Sequence, residues 1–368
     1  MRILFTCRPA YGHLFPLLPL ANAAAEAGHE VVFGTGEAFV PKVRDLGFAV
    51  HRAGISIGAA EAEAKRRHGE DAGFLDLGIT MFAELLPNSL LDDLTPLLPR
   101  LRPDLVVYEM SDVGAAIAAR RAGVPAVSVV IGRSMPPAVL AVAADRLRPL
   151  WGTLPADALL GDACVDVWPD RLRDPGTAGV PKVFRMRPTP YDPDVPLPPL
   201  PADGFAYLTL GTVVFGATDV LRGAIAALSR LDIDVLVALG PGDPAALGPL
   251  PDRVRATGFV PQARVLAHAG LVVHHGGTGT VLASLAAGLP QLVLPQGADQ
   301  FANAETLETL GAAKSLVGAA IRIPAVEAAV RTLLDDPKPR EVARGVAAEI
   351  AEMPSPEQVL GELVSWAG

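Results

Sequence analysis

The chain has 368 residues, of which 50% are hydrophobic and 19% charged, and this composition excludes a disordered protein. Its length is too great for one ordinary core and predicts two domains. The 31 basic and 40 acidic side chains give a net charge of −9, which predicts no attraction to nucleic acid or anionic membranes, so any phosphate ligand must be held locally.

The first half alternates short apolar runs with alanine-rich helical patterns. Strands are predicted at residues 2–6, 30–34, 104–108 and 126–131, with helices at 16–27 and 113–122. Gly28 and Gly123 follow these two helices, where C-terminal glycines belong. Continuous apolar strands alternating with helices predict a parallel sheet that is covered on both faces.

Seven prolines between residues 188 and 201 interrupt this alternation. Their density excludes a helix or a central strand and predicts a semi-rigid linker over residues 188–204. The linker divides the chain into an N-terminal domain of residues 1–187 and a C-terminal domain of residues 205–350. Residues 351–368 are predicted to form a C-terminal helix that crosses back to the N-terminal domain, after a break at Pro354 and Pro356.

The alternation resumes after the linker, with strands predicted at residues 205–210, 234–239, 271–274 and 291–294 and a helix at 220–231. The fold class is therefore α/β, with two doubly wound, Rossmann-like parallel-sheet domains facing across a cleft. Ligands of such sheets bind outside the C-terminal ends of the strands, so functional residues are expected directly after strands.

The first candidate residue is His13, which follows the first strand and the flexible Gly12. A neutral imidazole facing the cleft can take a proton from a hydroxyl group. Glu109 and Asp112 come after the strand at 104–108, and either carboxylate can fix the tautomer of His13. His13 also fits a helix cap or a core position, and Asp112 fits the N-cap of the helix at 113–122.

The strongest motif is the glycine-rich segment 274–280, between a strand and a helix. Glycines at a helix start expose amide groups, and the helix dipole adds positive potential, so a phosphate or diphosphate can bind there without net basic charge. The predicted ligands are His275, Gly276, Gly277, Thr278, Gly279 and Thr280.

Two shorter segments support the same site. Gly211 and Thr212 follow the first strand of the second half, in another glycine turn facing the cleft. Asp299 and Gln300 follow the strand at 291–294 and suit the vicinal diol of a sugar, although Asp299 also fits a helix N-cap. No metal site is predicted, because no cluster of His and Cys has zinc spacing.

A cytoplasmic location is predicted. Cys7 and Cys164 are too few for a disulfide framework, which fits a reducing compartment. The apolar residues 1–6 are too few for a signal peptide, and residues 14–25 are too short and too broken by prolines to span a bilayer.

These motifs resemble those of the actinomycete natural-product glycosyltransferases of glycosyltransferase family 1, which have the GT-B fold. The resemblance covers nearly the whole chain and includes the element Gly12-His13-Leu14-Phe15-Pro16. Its most specific part is residues 258–311, which contain the segment 258–262, the glycine-rich loop and the Asp299-Gln300 pair.

The resemblance implies a hexosyltransferase that uses a nucleotide-diphosphate sugar. His13 is then the general base on the acceptor hydroxyl, with Glu109 or Asp112 as its partner. Phe259, Val260 and Gln262 match contacts to the nucleotide, the glycine-rich loop matches contacts to the diphosphate, and Asp299 and Gln300 match contacts to the donor sugar.

One departure from the family bears on the donor. UDP-sugar enzymes of this family carry a Glu that binds both ribose hydroxyls, and Ala283 stands at that position here. We therefore expect a dTDP-sugar as co-substrate, in preference to a UDP-sugar, and no cofactor. The implied reaction is an inverting, metal-independent transfer of a (deoxy)sugar to a hydroxyl of a hydrophobic aglycone in antibiotic biosynthesis.

The acceptor pocket is expected in the N-terminal half, with Tyr11, Met81, Phe82 and Met135 as candidates, although Met81 and Phe82 also fit a packed helix face. Two alternatives are a catalytically silent auxiliary partner of a glycosyltransferase and a nucleotide-sugar epimerase of the same fold. The sequence does not identify the sugar or the aglycone, and it does not distinguish O- from C-glycosylation. It also leaves open whether the protein forms a homodimer or needs an auxiliary protein.

Overall fold

The computed structural model describes residues 1–151, 160–192, 195–202, 204–211 and 218–368. The chain divides into two compact units. The first unit comprises Met1–Val167, Asp174–Met186 and Pro354–Gly368, and the second comprises Trp168–Arg173 and Arg187–Met353.

The first unit is built on a parallel sheet that has seven strands in the described residues, in the order β3-β2-β1-β4-β5-β6-β7. Its central strands are buried along almost their entire length because helices cover both faces. The strands are β1 Arg2–Cys7, β2 Glu30–Thr35, β3 Ala49–Arg52, β4 Leu105–Glu109, β5 Ala126–Val129, β6 Ala163–Asp166 and β7 Val183–Arg185.

The helices of the first unit follow the strands in the expected alternation. The prediction of one helix over residues 16–27 was incomplete, because a 3-10 turn at Phe15–Leu17 separates two α-helices and Pro16 lies in that turn. The helices are α1 Tyr11–Leu14, α2 Leu18–Glu26, α3 Val40–Asp45, α4 Ile57–His68, α5 Phe74–Thr80, α6 Leu86–Leu101, α7 Val113–Ala122 and α8 Pro137–Trp151. A π-helical turn, Met81–Leu85, joins α5 to α6.

The second unit has a parallel sheet of six strands in the described residues, in the order β10-β9-β8-β11-β12-β13. The strands are β8 Phe205–Thr209, β9 Val235–Ala238, β10 Val254–Thr257, β11 Ala269–His274, β12 Gln291–Val293 and β13 Ala313–Ser315. The helices are α9 Thr218–Leu228, α10 Gln262–Leu266, α11 Thr278–Ala286, α12 Gln300–Leu310, α13 Ile323–Asp335 and α14 Lys338–Glu352.

The core of the second unit shows why its functional residues lie at strand ends. Along β8, Ala206 and Leu208 pack into one hydrophobic cluster, and Phe205 and Tyr207 pack into another. Successive side chains of a strand point to opposite faces, so both faces of the sheet are filled. Polar chemistry is left to the loops that follow the strands.

The last helix, α15 Pro356–Ala367, belongs to the first unit. It packs on α2, and its Trp366 ring lies 6.1 Å from the ring of Phe184 in β7. The helix begins at a capping box in which Ser355 and Gln358 satisfy each other's backbone amides.

The glycines predicted to end α2 and α7 both have a left-handed backbone, with φ of 81° at Gly28 and 67° at Gly123. At Gly123 a β-carbon would have no atom within 4 Å, so a substitution there adds backbone strain without a clash. We expect Gly123→Ala to lower the free energy of unfolding by about 1 kcal/mol in urea titrations.

Gly58 provides the matched control, because it lies within α4 and a β-carbon there also meets no atom within 4 Å. Its backbone is not left-handed, so Gly58→Ala is expected to be neutral or to stabilise by up to about 1 kcal/mol. Equal effects of the two substitutions would contradict this account of Gly123.

Candidate functional site

In the first unit, the loop after β1 meets the loop after β4. The two strands are hydrogen-bonded neighbours, with Thr6 paired to Tyr108. His13 lies in α1, and its Nδ1 lies 2.9 Å from Oε1 of Glu109. The imidazole is 21% exposed and the carboxylate 0%, so the pair consists of a buried acid and a ring that reaches solvent.

Glu109 is held from several sides. Its carboxylate accepts hydrogen bonds from the backbone N–H of Ser111 at 2.8 Å and from the hydroxyl of Ser111 at 2.7 Å. The Nε atom of Arg8 lies 3.3 Å from the same Oε1 that faces His13. Burial opposes ionisation of Glu109, but His13, Arg8 and Ser111 outweigh it and lower its pKa to about 2.

Asp112 stands at the predicted N-cap position of α7, but its side chain makes no capping hydrogen bond. The carboxylate is 6% exposed, and its Oδ2 has no hydrogen-bond partner among the described residues. Burial and the neighbouring charge of Glu109 raise the pKa of Asp112. The distance of 2.9 Å between Glu109 and His13 favours Glu109 as the partner of His13.

The four candidate acceptor residues differ in their surroundings. Phe82 is 39% exposed and Met135 is 48% exposed. Tyr11 is partly buried, and its ring centroid lies 5.0 Å from that of Phe39. Met81 is only 7% exposed and packs in a small core cluster, which fits the alternative of a packed helix face.

In the second unit, the glycine-rich loop connects β11 to α11. Gly276 has a φ of 94°, where a β-carbon would lie 2.9 Å from Val293, so only glycine fits there without strain. Gly277 is the N-cap residue of α11, and among the described residues no side chain caps the helix at that position. The amides of the first helical turn are therefore available to an anion.

His274 fixes the shape of this loop. It is fully buried, its Nδ1 accepts a hydrogen bond from the N–H of Gly276 at 3.0 Å, and its Nε2 lies 2.8 Å from the amide oxygen of Gln291. These two partners require a neutral ring that is protonated on Nε2. Burial and the neighbouring His275 lower the pKa of His274 to about 3, so the ring stays neutral at physiological pH.

His275 is placed to meet a ligand. Its ring is hydrogen-bonded to the backbone of Thr209, and its Nδ1 is buried without a hydrogen-bond partner in the part of the chain that is described. Burial lowers the pKa of His275 to about 4. Gly211 leaves room for the ring, since a β-carbon there would lie 2.6 Å from Cε1 of His275. Thr212 lies outside the described residues.

The Asp299 carboxylate serves a network instead of the predicted N-cap. It stands at the N-cap position of α12 without capping it, and its Oδ2 accepts hydrogen bonds from the Thr278 hydroxyl at 2.9 Å and from the Asn303 amide at 3.1 Å. The Asn303 amide also donates to the carbonyl of Gly276 at 2.8 Å. The amide oxygen of Gln300 is likewise occupied, because it accepts from the N–H of Gln296 at 2.8 Å.

The remaining predicted nucleotide contacts lie around α10 and α11. The amide of Gln262 donates to the hydroxyl of Thr280 at 3.4 Å, which links the two helices. Phe259 is partly exposed, whereas Val260 and Ala283 are buried in the same apolar cluster. Gly279 is exposed in the first turn of α11.

Four residues of this site were given no role of their own by the sequence analysis. They are the two that hold the Glu109 carboxylate and the two that hold the glycine-rich loop, namely Arg8, Ser111, His274 and Asn303. Each acts through a contact between side chain and loop that no periodic pattern reports. Two polar signals were available, because Ser111 lies two residues from Glu109 and His274 is a polar residue inside a strand.

Two further properties concern only the described residues. In them, no three His, Cys, Asp or Glu side chains are grouped as metal ligands would be. Of the helices described, none combines the length and apolar character needed to cross a membrane.

Comparison with known families matches both parts of the chain. Residues 22–196 match the N-terminal domain, and residues 222–366 the C-terminal domain, of the family described as Erythromycin biosynthesis protein CIII-like. A curated relative, the L-demethylnoviosyl transferase of Streptomyces niveus, is 35% identical over 98% of this chain and 96% of its own length. The 10-deoxymethynolide desosaminyltransferase of Streptomyces venezuelae is 30% identical over 99% and 96%.

Solved structures of glycosyltransferases are similar to this chain over nearly its whole length. The glycosyltransferase VinC in complex with dTDP superposes with a TM-score of 0.79 at 26% identity, covering 100% of this chain and 99% of that one. The glycosyltransferase SsfS6 of Streptomyces sp. SF2575, complexed with thymidine diphosphate, superposes with a TM-score of 0.81 at 25% identity, with 99% of each chain covered. The prediction of the GT-B fold is confirmed.

The low pKa of His274 predicts a pH dependence of stability. Because its pKa of about 3 in the folded protein lies below the ordinary value of 6.5, the unfolded chain alone binds a proton here as the pH falls below 6.5. This removes about 1.4 kcal/mol of stability per pH unit. In urea unfolding, wild type is expected to lose about 2 kcal/mol more than His274→Gln between pH 7 and pH 5.

The control is His51→Gln, at an exposed position of the first unit. It is expected to lose as much stability as wild type over the same pH interval. The same loss in His274→Gln as in wild type would show that the ring is not held neutral by the fold.

Proposed function

Because this chain belongs to the Erythromycin biosynthesis protein CIII-like family of actinomycete natural-product glycosyltransferases, we propose a specific reaction for it. It transfers a deoxysugar from a dTDP-sugar to a hydroxyl group of a hydrophobic aglycone, with inversion at the anomeric carbon. The relatives are named as transferases, which favours sugar transfer over an epimerase or a silent auxiliary protein.

The observation that carries this proposal is the pair formed by His13 and Glu109. A neutral imidazole with one nitrogen 2.9 Å from a buried carboxylate has a fixed tautomer, and its other nitrogen is left as a base. The carboxylate also stabilises the imidazolium that forms when the ring takes a proton. An acceptor hydroxyl is the group for which such a base is needed, because an alcohol is a poor nucleophile until it loses its proton.

The donor is assigned to the second unit. Its diphosphate would bind the first-turn amides of α11, with Gly277 and Gly279 allowing close approach of the backbone. The charge that develops on the leaving diphosphate is stabilised by these amides and by the helix dipole. We propose that no metal ion takes part, since fixed backbone dipoles supply the positive potential.

The reaction balances as a single displacement. The acceptor oxygen forms a bond to the anomeric carbon while the bond from that carbon to the diphosphate oxygen breaks, with the electron pair leaving on dTDP. The acceptor proton passes to His13. The anomeric carbon gains oxocarbenium-like character, and attack from the face opposite the leaving group inverts it.

The nature of the nucleotide rests on Ala283. This residue is 4% exposed and packs with Val260 in an apolar cluster, so it offers no partner to a ribose 2′-hydroxyl. Similar structures are described with dTDP bound. Asp299 and Gln300 are proposed to contact the donor sugar, Gln300 through its amide nitrogen because its oxygen is already used.

The base assignment predicts a separation of chemistry from donor binding. His13→Ala is expected to lower kcat by roughly 10²- to 10⁴-fold, measured as release of dTDP from a dTDP-deoxysugar in the presence of a panel of polyketide aglycones. Its affinity for dTDP is expected to stay unchanged, since the nucleotide contacts lie in the second unit. Glu109→Gln is expected to lower kcat less, because the ring keeps its base but loses its countercharge.

His51→Ala is the control for these variants, as an exposed histidine of the same unit that should keep wild-type activity. Activity of His13→Ala within tenfold of wild type would remove His13 from the proposed mechanism.

The donor assignment is tested separately by calorimetry. We expect dTDP to bind more tightly than UDP, because Ala283 provides no carboxylate for the ribose hydroxyls and a desolvated, unpaired hydroxyl costs about 1–3 kcal/mol. Tighter binding of UDP would reverse the donor preference proposed here.

A further inference from the structure

Arg8 lies directly after β1 and is buried, with 3% of its surface exposed. Its guanidinium makes two polar contacts at the end of β4: Nε lies 3.3 Å from Oε1 of Glu109, and one terminal nitrogen donates a hydrogen bond to the carbonyl of Ser111. Glu109 Oε1 is also the atom that lies 2.9 Å from His13. The same carboxylate oxygen therefore contacts both the permanent cation of Arg8 and the titratable ring of His13.

The third neighbour of Arg8 is an aromatic ring. Its guanidinium carbon lies 4.5 Å from the ring centroid of Phe82, on the π-helical turn between α5 and α6. An arginine over an aromatic face gains a cation–π interaction, which is strongest where water is excluded. Phe82 covers the cation, and 39% of the Phe82 residue is itself exposed to solvent.

Three other charged or titratable side chains of the described residues interact with Glu109. They are Arg8 and Cys7 from the end of β1 and Asp112 from the start of α7. The thiol of Cys7 and the carboxyl of Asp112 are both buried, and burial raises the pKa of each, that of Asp112 to about 7, so the thiol stays neutral and Asp112 is only partly ionised near pH 7. Arg8 is the permanent cation beside ionised Glu109.

We propose that Arg8 is a positioning residue for the base: it aligns and ionises Glu109, and by sharing Oε1 it keeps His13 unprotonated until the acceptor hydroxyl gives up its proton. This inference rests on the proposed function of His13. The carboxylate that stabilises the imidazolium during the reaction also favours a protonated ring before the acceptor binds. Arg8 offsets that attraction, because its fixed positive charge repels a second positive charge on the ring.

The direct test is the titration of the His13 ring in the full chain, followed by NMR and assigned with His13→Gln. In Arg8→Met the midpoint is expected to lie about one pH unit higher than in wild type, because a positive charge has been removed beside Glu109. Arg8→Lys restores a cation and is expected to return the midpoint most of the way. Arg8→Gln provides a second neutral variant in case Arg8→Met fails to fold.

The same variants are expected to move activity in parallel. The acid limb of kcat/KM, measured as dTDP release from a dTDP-deoxysugar with a polyketide aglycone, should move to higher pH by the same interval in Arg8→Gln. At pH 7 this lowers the rate several-fold, and the loss is largely recovered at higher pH. A merely structural role would lower the rate by the same factor at every pH.

Arg185→Gln is the matched control. Arg185 also lies at the C-terminal end of a strand of the same sheet and pairs with the buried carboxylate of Asp166. This variant is expected to leave the His13 midpoint unmoved, whatever it costs in stability. An unmoved midpoint in both neutral Arg8 variants would overturn the inference about Arg8, whereas full activity of His13→Ala would overturn the proposed function itself.

Discussion

The arrangement of this molecule depends on one constraint: a parallel sheet covered on both faces exposes its polar loops only at its strand ends. In the first unit this constraint brings the loop after β1 to the loop after β4, so residues about a hundred positions apart become neighbours. In the second unit it sets the glycine-rich loop after β11 between the loops that follow β8 and β12. The chemistry of each unit follows from which side chains occupy those loops.

The two parallel sheets and the loops at their strand ends could largely be predicted from the sequence, because the central strands are short, continuous apolar runs. Five strands were missed, namely β3, β6, β7, β10 and β13. Of these, β3 is largely exposed and β7, β10 and β13 are only partly buried, so they lack a continuous apolar run. Strand β6 is buried but has only four residues and ends at Asp166. The choice between Glu109 and Asp112 could not be made either. Both follow the same strand within three residues, and side-chain direction decides which one reaches His13.

The missed residues share a physical reason. Arg8 is a lone cation in an apolar and proline-containing stretch. Its burial is favourable only because the fold places Glu109, from a distant part of the chain, in contact with it. Sequence patterns report periodic burial of apolar side chains, whereas a buried ion pair is defined by two positions whose proximity only the fold creates. The same holds for His274 and Gln291, which meet across adjacent strands.

The bonds within the glycine-rich loop have a consequence for evolution. The turn at Gly276 is held by the ring of His274 and by the amide of Asn303, so folding of the second unit and the shape of its candidate anion site depend on the same contacts. A substitution that relaxes these contacts weakens the fold and the site together.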